Sequence, residues 1–323
     1  MNYPTLLVLA VVAALSATAF LVFWLDRYTT EPVVRLVLAA CWGSMCPLLF
    51  RLADPAVGLA VDLDPLLGTA LPAAAGLLEG LLLAAVLVVL ATSHYLDGPL
   101  DGAVYGTVAG LGFAAFQSLA ALHQGWSPPD PSVAVFMTLV RAGATALVGA
   151  GIGLAKLAVR MALRVPCALA AVLAAGLSRW LLSVLAVRGW GVWGQHNTPF
   201  NLALVAAAAL LLVGVFWAAL ALEHRVLVRQ LGDEVALGVL PSWVVEVLPS
   251  YRRRIRSTWW ARRDERREII RLLTSLAFRK HRLRGLSEER ARLYGLEVGR
   301  LRQRARTLLA LAPGTDPGPE APQ

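Results

Sequence analysis

Two ionisable residues, Glu79 and Arg141, interrupt long stretches that are otherwise apolar. An ionised side chain at the centre of a membrane helix costs roughly 2.5–3.5 kcal/mol on insertion scales, so such residues are candidates for a functional site. With a rise of about 1.5 Å per residue, Arg141 would lie about 10 Å and Glu79 about 18 Å below the same membrane surface. A guanidinium group spans much of that difference, and we predict a buried Glu79–Arg141 ion pair. The alternative is that Glu79 is a protonated or hydrogen-bonded structural carboxyl.

The composition is that of a membrane protein. Of the 323 residues, 58% are hydrophobic and only 16% are charged, a combination that soluble domains rarely show. Several apolar runs exceed about 18 residues, the length that indicates a membrane-spanning helix. We therefore predict an all-α, polytopic membrane bundle of about seven transmembrane helices with a cytoplasmic helical tail. The predicted spans cover residues 5–25, 33–50, 67–92, 99–122, 134–157, 165–187 and 200–222.

The net charge of +9 comes entirely from the C-terminal part of the chain. From Glu223 onward basic residues outnumber acidic ones, whereas the preceding part carries equal numbers of both. Positive charges flank the cytoplasmic ends of membrane helices, so Lys156, Arg160, Arg164 and this tail predict a cytoplasmic C-terminus and an external N-terminus. We predict three regions: a transmembrane domain at residues 1–222, a basic cytoplasmic helical tail at residues 223–312, and a disordered Pro/Gly-rich C-terminus at residues 313–323.

The tail combines amphipathic helices with arginine clusters. Apolar residues recur at helical spacing within 266–283, and Ser287 before two glutamates predicts a second helix start. The run 252–256, followed by Trp259 and Trp260, would suit anionic lipid headgroups at a membrane surface. Nucleic acid is the weaker alternative, because acidic residues interrupt the basic runs and the chain has no recognisable binding motif.

A glycine-rich stretch begins at Asp97 and reads D-G-P-L-D-G-x-V-Y-G, with G-x-G-F-A-A following from Gly110. Small residues four apart, as at Gly102, Gly106 and Gly110, form a helix face that another backbone can approach closely. A packing face is therefore one interpretation. The same stretch resembles the PrsW family of bacterial membrane-embedded peptidases, which is distantly related to the CAAX-prenyl proteases. The D-R-Y-x-x-E-P pattern at 26–32 is similar to that family as well.

The resemblance implies a metal-dependent enzyme that cuts substrates at or within the membrane. In the family, clustered Glu and His side chains hold a divalent metal ion whose bound water attacks the substrate, with a carboxylate as general base. The family motifs are E-E-x-x-K in one span, G-F-x-x-x-E-N in the next, and a His in each of two later spans. Aligned on the shared motifs, these positions are occupied here by Leu78, Glu79, Leu82, Gln117, Ser118, Arg141 and Asn197, with Asn201 four residues further on.

Glu79 alone among these positions retains a catalytic residue type of the family, as a remnant. Arg141 would put a permanent positive charge where the family holds a cation, and His196, a weak candidate metal ligand, is one residue out of register. We therefore predict that no metal cofactor is bound. The predicted function is that of an inactive family member, a pseudoprotease, that binds membrane substrates or a membrane-protein partner. The alternative is an active, zinc-dependent intramembrane endopeptidase that cleaves membrane-anchored proteins.

Both interpretations predict a multi-pass protein of the bacterial cytoplasmic membrane, in contact with the lipid bilayer and with no nucleic-acid partner. A purely structural or transport component is disfavoured, because the sequence shows neither repeated halves nor interrupted helices.

Overall fold

The computed structural model describes residues 34–46, 98–123, 131–158, 161–194, 196–249, 263–283 and 288–311. These residues form helices and no strand. The helices are α1 (Val34–Cys46), α2 (Pro99–His123), α3 (Pro131–Leu157), α4 (Arg164–Trp193), α5 (Thr198–Ala236), α6 (Trp243–Val247), α7 (Arg263–Leu283) and α8 (Glu288–Leu311). A single 3-10 turn, Met161–Leu163, precedes α4.

Three of the described helices, α3, α4 and α5, are long and apolar enough to cross a membrane. They correspond to the predicted spans 134–157, 165–187 and 200–222, but α4 and α5 extend beyond the predicted ends. The predicted spans 5–25 and 67–92 lie outside the described residues. The all-helical class is therefore confirmed for the described part of the chain, while the count of seven spans stays a prediction.

The glycine-rich helix α2 is enclosed by other parts of the chain. Between residues 98 and 114 every residue except Val108 is buried, including the polar Asp101 and Thr107. Thr107 donates its hydroxyl to the carbonyl oxygen of Ala103, one turn earlier. A helix surrounded by protein can be less apolar than one that faces lipid, because its polar groups have partners. This explains how a helix so rich in glycine, alanine and threonine can belong to a membrane bundle.

Glycines of α2 bring its backbone against that of α3. A methyl group added at Gly102 would overlap the carbonyl oxygen of Gly149, and one added at Gly106 would overlap that of Thr145. Gly110 likewise lies against Thr145 and the backbone near Arg141. Positions later in α2 thus meet positions earlier in α3, so the two helices run antiparallel. The predicted packing face is confirmed.

A second small-residue contact joins α2 to α1. A methyl group added at Gly112 would overlap the carbonyl oxygen of Ala40, and one added at Gly43 would overlap that of Ala109. The hydroxyl of Ser44 also donates to the carbonyl oxygen of Gly112 at 3.1 Å. Interhelical hydrogen bonds and close backbone contacts of this kind are what hold helices together in lipid. Helix α2 therefore packs closely against α3 on one face and against α1 on another.

The chain forms two compact units. Among the described residues, the first contains α1, α2, almost all of α3, α4, and α5 as far as Leu220. The second contains α5 from Ala221 onward together with α6, α7 and α8. Helix α5 has 39 residues, which at about 1.5 Å per residue is longer than a hydrocarbon core of about 30 Å. Its C-terminal part therefore extends out of the membrane.

The second unit has its own hydrophobic core. The amphipathic pattern predicted within 266–283 is confirmed by α7, whose apolar side chains are buried against α5, α6 and α8. The predicted second helix start after Ser287 is also confirmed, since α8 begins at Glu288. The buried members of this core are Leu227, Leu231, Leu240, Val244, Leu248, Ile269, Leu272, Leu273, Ala277 and Ala305.

A buried carboxylate links three helices of this unit. Glu234 of α5 has no exposed side-chain surface, and Arg302 of α8 donates to both of its oxygens, from Nε at 2.7 Å and from Nη2 at 2.6 Å. Lys280 of α7 lies 2.8 Å from Glu234 Oε1 and also donates to the carbonyl oxygen of Gln230. Burial would raise the pKa of Glu234, but the hydrogen bonds and charges of Arg302 and Lys280 outweigh it, so that the pKa lies below its ordinary value.

The contact between α2 and α3 predicts that Gly102→Ala destabilises the bundle. Alanine normally favours a helix over glycine, but here the added methyl would overlap Gly149, and overpacking typically costs about 1–3 kcal/mol. The matched control is Gly214→Ala in α5, where no described atom lies within 4 Å of the added methyl. Thermal unfolding in detergent should show a lower midpoint for the first variant only. Equal midpoints for both variants would contradict the close contact.

The Glu234 cluster predicts a pH-dependent loss of stability. Because the folded-state pKa is lowered, the contribution of Glu234 is present above its unfolded pKa of about 4.3 and is lost as pH falls through the folded value. Glu234→Gln should cost roughly 3 kcal/mol at neutral pH, since it leaves two cations without their buried partner. The cost should shrink as pH falls below about 4.

The control for this cluster is Glu297→Gln, which removes a half-exposed partner of Arg279 and should cost no more than about 1 kcal/mol. Denaturant unfolding of the solubilised chain, measured for both variants at neutral and acidic pH, makes the comparison. A Glu234 variant that loses no more stability than the Glu297 variant at neutral pH contradicts the assignment.

Candidate functional site

Arg141 of α3 reaches across the seam between α3 and α2. Its backbone lies against Gly110, and its carbonyl oxygen accepts a hydrogen bond of 2.8 Å from the hydroxyl of Thr145. The guanidinium carbon lies 5.5 Å from the centre of the Phe113 ring. A cation at this distance over an aromatic face is attracted by the negative charge of the ring, and more strongly where water is excluded. The contact thus holds the guanidinium near Phe113 of the G-x-G-F motif.

Gln117 and Ser118 lie one turn further along α2. Gln117 is exposed and Ser118 is half-buried. Because α2 and α3 are antiparallel, this part of α2 lies at the same end of the first unit as the beginning of α3. Both residues therefore lie in the same half of the first unit as Arg141, which contacts the middle of α2.

Asn197 caps the last predicted span. It immediately precedes α5, and its side-chain oxygen accepts a hydrogen bond of 3.1 Å from the backbone N–H of Phe200. That N–H is one of those that a helix start leaves without an intrahelical partner. The structural role expected of an asparagine at this position is therefore filled.

Asn201 is buried, with 1% of its surface exposed, and it bonds to the helix before it. The indole nitrogen of Trp190 in α4 donates to its side-chain oxygen at 2.8 Å. Its backbone N–H donates to the carbonyl oxygen of Asn197 at 3.0 Å. The adjacent His196 is exposed to solvent. The two side-chain oxygens that could face a metal ion are thus both used in packing the start of α5.

These positions lie in one half of the first unit. A hydrophobic cluster in that half joins the early part of α3 (Phe136 and Val140) to the early part of α5 (Leu204 and Ala208) and the late part of α4. Gly143, two residues after Arg141, lies against Leu211 and Leu212 of α5, so Arg141 lies deeper in the unit than Asn197 and Asn201 at the start of α5. The described family positions therefore lie in one half of the first unit but at different depths, and Leu78, Glu79 and Leu82 lie outside the described residues.

A model of the PrsW family intramembrane metalloproteases matches residues 31–213, more than half of the 323-residue chain. The chain belongs to this family. No curated protein and no solved structure matches it. The match spans α1 to α4 and the first part of α5, and it ends before Ala221, where the C-terminal segment of the second unit begins.

The described PrsW positions do not fit a zinc ion. Zinc sites require three or four thiolate, imidazole or carboxylate donors. Arginine has no lone pair to offer, and the described part of the chain holds no cluster of three His, Cys, Asp or Glu side chains in a suitable arrangement. The oxygens of Asn197 and Asn201 already accept hydrogen bonds, and the exposed Gln117 offers only a weak amide ligand. A fit would depend on Glu79 and other donors in segments that the structure does not describe.

The sequence alone did not reveal two contacts between helices in this part of the first unit. Phe113 was noted as part of a family motif, but its ring was not expected beneath Arg141. The indole N–H of Trp190 donates to the side-chain oxygen of Asn201, a contact that the sequence did not predict. Both contacts join residues on different helices, so spacing along the chain gives no signal for them.

The cap at Asn197 predicts how substitutions there affect stability. Asn197→Ala should lower it by about 1 kcal/mol, because a helix-terminal N–H loses its partner, and Asn197→Asp should retain it, because Asp caps equally well. Thermal unfolding in detergent, with and without added zinc, provides the measurement. Wild-type stability for the alanine variant would contradict the capping role, as would a zinc-induced rise in the midpoint that needs Asn197.

Proposed function

We propose that this PrsW-family chain does not carry out metal-dependent proteolysis, and that its membrane bundle binds membrane-anchored substrates or a membrane-protein partner. The observation that carries the proposal is the Arg141 guanidinium beside the Phe113 ring, at a position that the family resemblance assigns to a metal-binding histidine. Glu79 is the one remnant of the catalytic positions.

The charge of Arg141 opposes a divalent cation. The guanidinium group stays protonated at all physiological pH values. Two like charges about 4 Å apart repel strongly when water is largely excluded. A family His at this position would be neutral and would present a lone pair, whereas Arg141 presents donors alone. This substitution therefore removes a ligand and adds a repulsive charge in a single step.

The scaffold around the former site is retained. The glycine contacts of α2 with α1 and α3 involve no side chain that a metalloprotease would use for chemistry. Loss of the ligands therefore leaves the packing intact. A bundle that keeps its shape without its metal donors supports a binding role better than it supports catalysis.

The second candidate is an active, zinc-dependent endopeptidase. Membership of the family of intramembrane metalloproteases favours it. It would need Glu79 together with donors outside the described residues, and it would need Arg141 to turn away from the metal ion.

The location proposed for the chain is the bacterial cytoplasmic membrane, with the N-terminus outside and the basic tail in the cytoplasm. The basic residues Lys156, Arg160 and Arg164 support this orientation. The bundle is then positioned to meet membrane-anchored proteins from within the bilayer.

The proposal predicts no proteolysis in a bilayer. The purified chain, reconstituted in vesicles with membrane-anchored test proteins, should leave them intact with and without added zinc. An active PrsW-family protease assayed in the same vesicles is the positive control. Cleavage that a chelator abolishes, and that Glu79→Gln also abolishes, would establish the second candidate.

The proposal also predicts that Glu79 and Arg141 form an ion pair. Breaking a buried pair from one side typically costs about 3–5 kcal/mol, because an unmatched charge remains. Glu79→Leu or Arg141→Leu alone should therefore reduce stability more than the double change to leucine. Unfolding of the wild type and the three variants in detergent measures the coupling energy. Strictly additive effects would rule out the pair and leave Glu79 as a structural carboxyl.

A further inference from the structure

Helix α8 of the second unit presents a mixed apolar and basic face to solvent. Leu293 and Leu296 each expose 67% of their surface. Arg292 and Arg300, one turn before and one turn after Leu296, are exposed as well. At about 100° per residue these four side chains fall within one sector of the helix. The opposite side of α8 carries Val298 and the rest of its buried residues.

This face differs from the arginine-rich run 252–256, which lies outside the described residues. We propose that the face of α8 formed by Arg292, Leu293, Leu296 and Arg300, here named the α8 face, docks on the anionic lipid surface of the membrane that this chain spans. The inference does not depend on whether the chain is a protease.

The chemistry of the α8 face matches an anionic bilayer surface. Apolar side chains flanked by arginines are typical of helices that lie in the membrane interface, with the leucines entering the acyl boundary and the arginines meeting lipid phosphates. Gly295 and Gly299 lie beside the leucines, and no described atom would contact a methyl group added at either position. Because glycine has no side chain, a flat surface can approach the helix backbone closely at these two positions.

Three other charged residues of α8 form ion pairs within the second unit. Glu297 pairs with Arg279 of α7, and Arg304 pairs with Glu268 of α7 at 2.5 Å. Arg302 is bound to the buried Glu234. These ion pairs join α8 to α7 and α5, and none of them involves Arg292 or Arg300.

A bilayer suits the α8 face better than a protein partner does. Two leucines form a patch far smaller than the roughly 1,000 Å² expected of a stable protein interface, and a second copy would bring arginine against arginine. A lipid surface needs no such area, because α5 joins the second unit to a membrane span and keeps the bilayer at a high effective concentration.

Spin-label accessibility in the full chain tests the proposal. Leu296→Cys is labelled in a background in which the native cysteines are replaced, and the chain is reconstituted in nanodiscs of phosphatidylcholine alone or mixed with phosphatidylglycerol. The label should favour membrane-dissolved oxygen over an aqueous nickel chelate only in the anionic discs. The matched control is Leu237→Cys, an exposed leucine (64%) that lies one turn after Asp233 and has no arginine beside it in the sequence. Its label should stay in water in both discs.

Charge reversal supplies the second arm. Each arginine near an anionic surface strengthens docking about fivefold. The double variant with Arg292→Glu and Arg300→Glu should therefore lower the equilibrium constant for docking by at least about 25-fold. The label should then return to water. Both arginines are exposed, so thermal unfolding should show an unchanged midpoint.

Three results would overturn the proposal. The Leu296 label could stay in water in both kinds of disc. It could be shielded from both reagents in both discs, which would mean that another segment or a second copy covers the α8 face. It could also respond to anionic lipid without regard to the charge reversal.

Discussion

The contact between the backbones of α2 and α3 determines how Arg141 lies relative to Phe113, Gln117 and Ser118. Gly102, Gly106 and Gly110 allow the two helices to touch along several turns, and no larger side chain fits at these positions. Because this seam aligns the helices antiparallel, Arg141 and Phe113 meet across it. The glycines thus act on the site indirectly: they position the residues that surround it, and they do so without taking part in any chemistry.

The proposed loss of metal ligands is compatible with this packing. Packing in lipid rests on close contact and on hydrogen bonds between helices, and in this chain those are supplied by glycines, by Ser44 and by the Trp190–Asn201 bond. Metal ligands contribute to none of these contacts. On the proposed account, Arg141 in place of a family histidine would change what this part of the bundle can bind and would leave its architecture in place.

Features set by neighbours along the chain were predictable, and those set by neighbours in space were not. Glycine spacing predicted the packing face, and the apolar pattern within 266–283 predicted the buried side of α7. The burial of Glu234 was missed, because a glutamate in a charged segment gives no sign that an arginine 68 residues away will enclose it. Helix α5 also runs on past residue 222, since its helical propensity does not change where its apolar composition does.

The central claim is that the Arg141 end of the bundle no longer holds a metal ion. Its most direct test is the zinc content of the full chain, purified in detergent without chelators and measured by mass spectrometry alongside an active PrsW-family protease. The account predicts far less than one zinc per chain for this protein and one for the active relative. One tightly held zinc per chain, lost in a Glu79→Gln variant, would contradict the account.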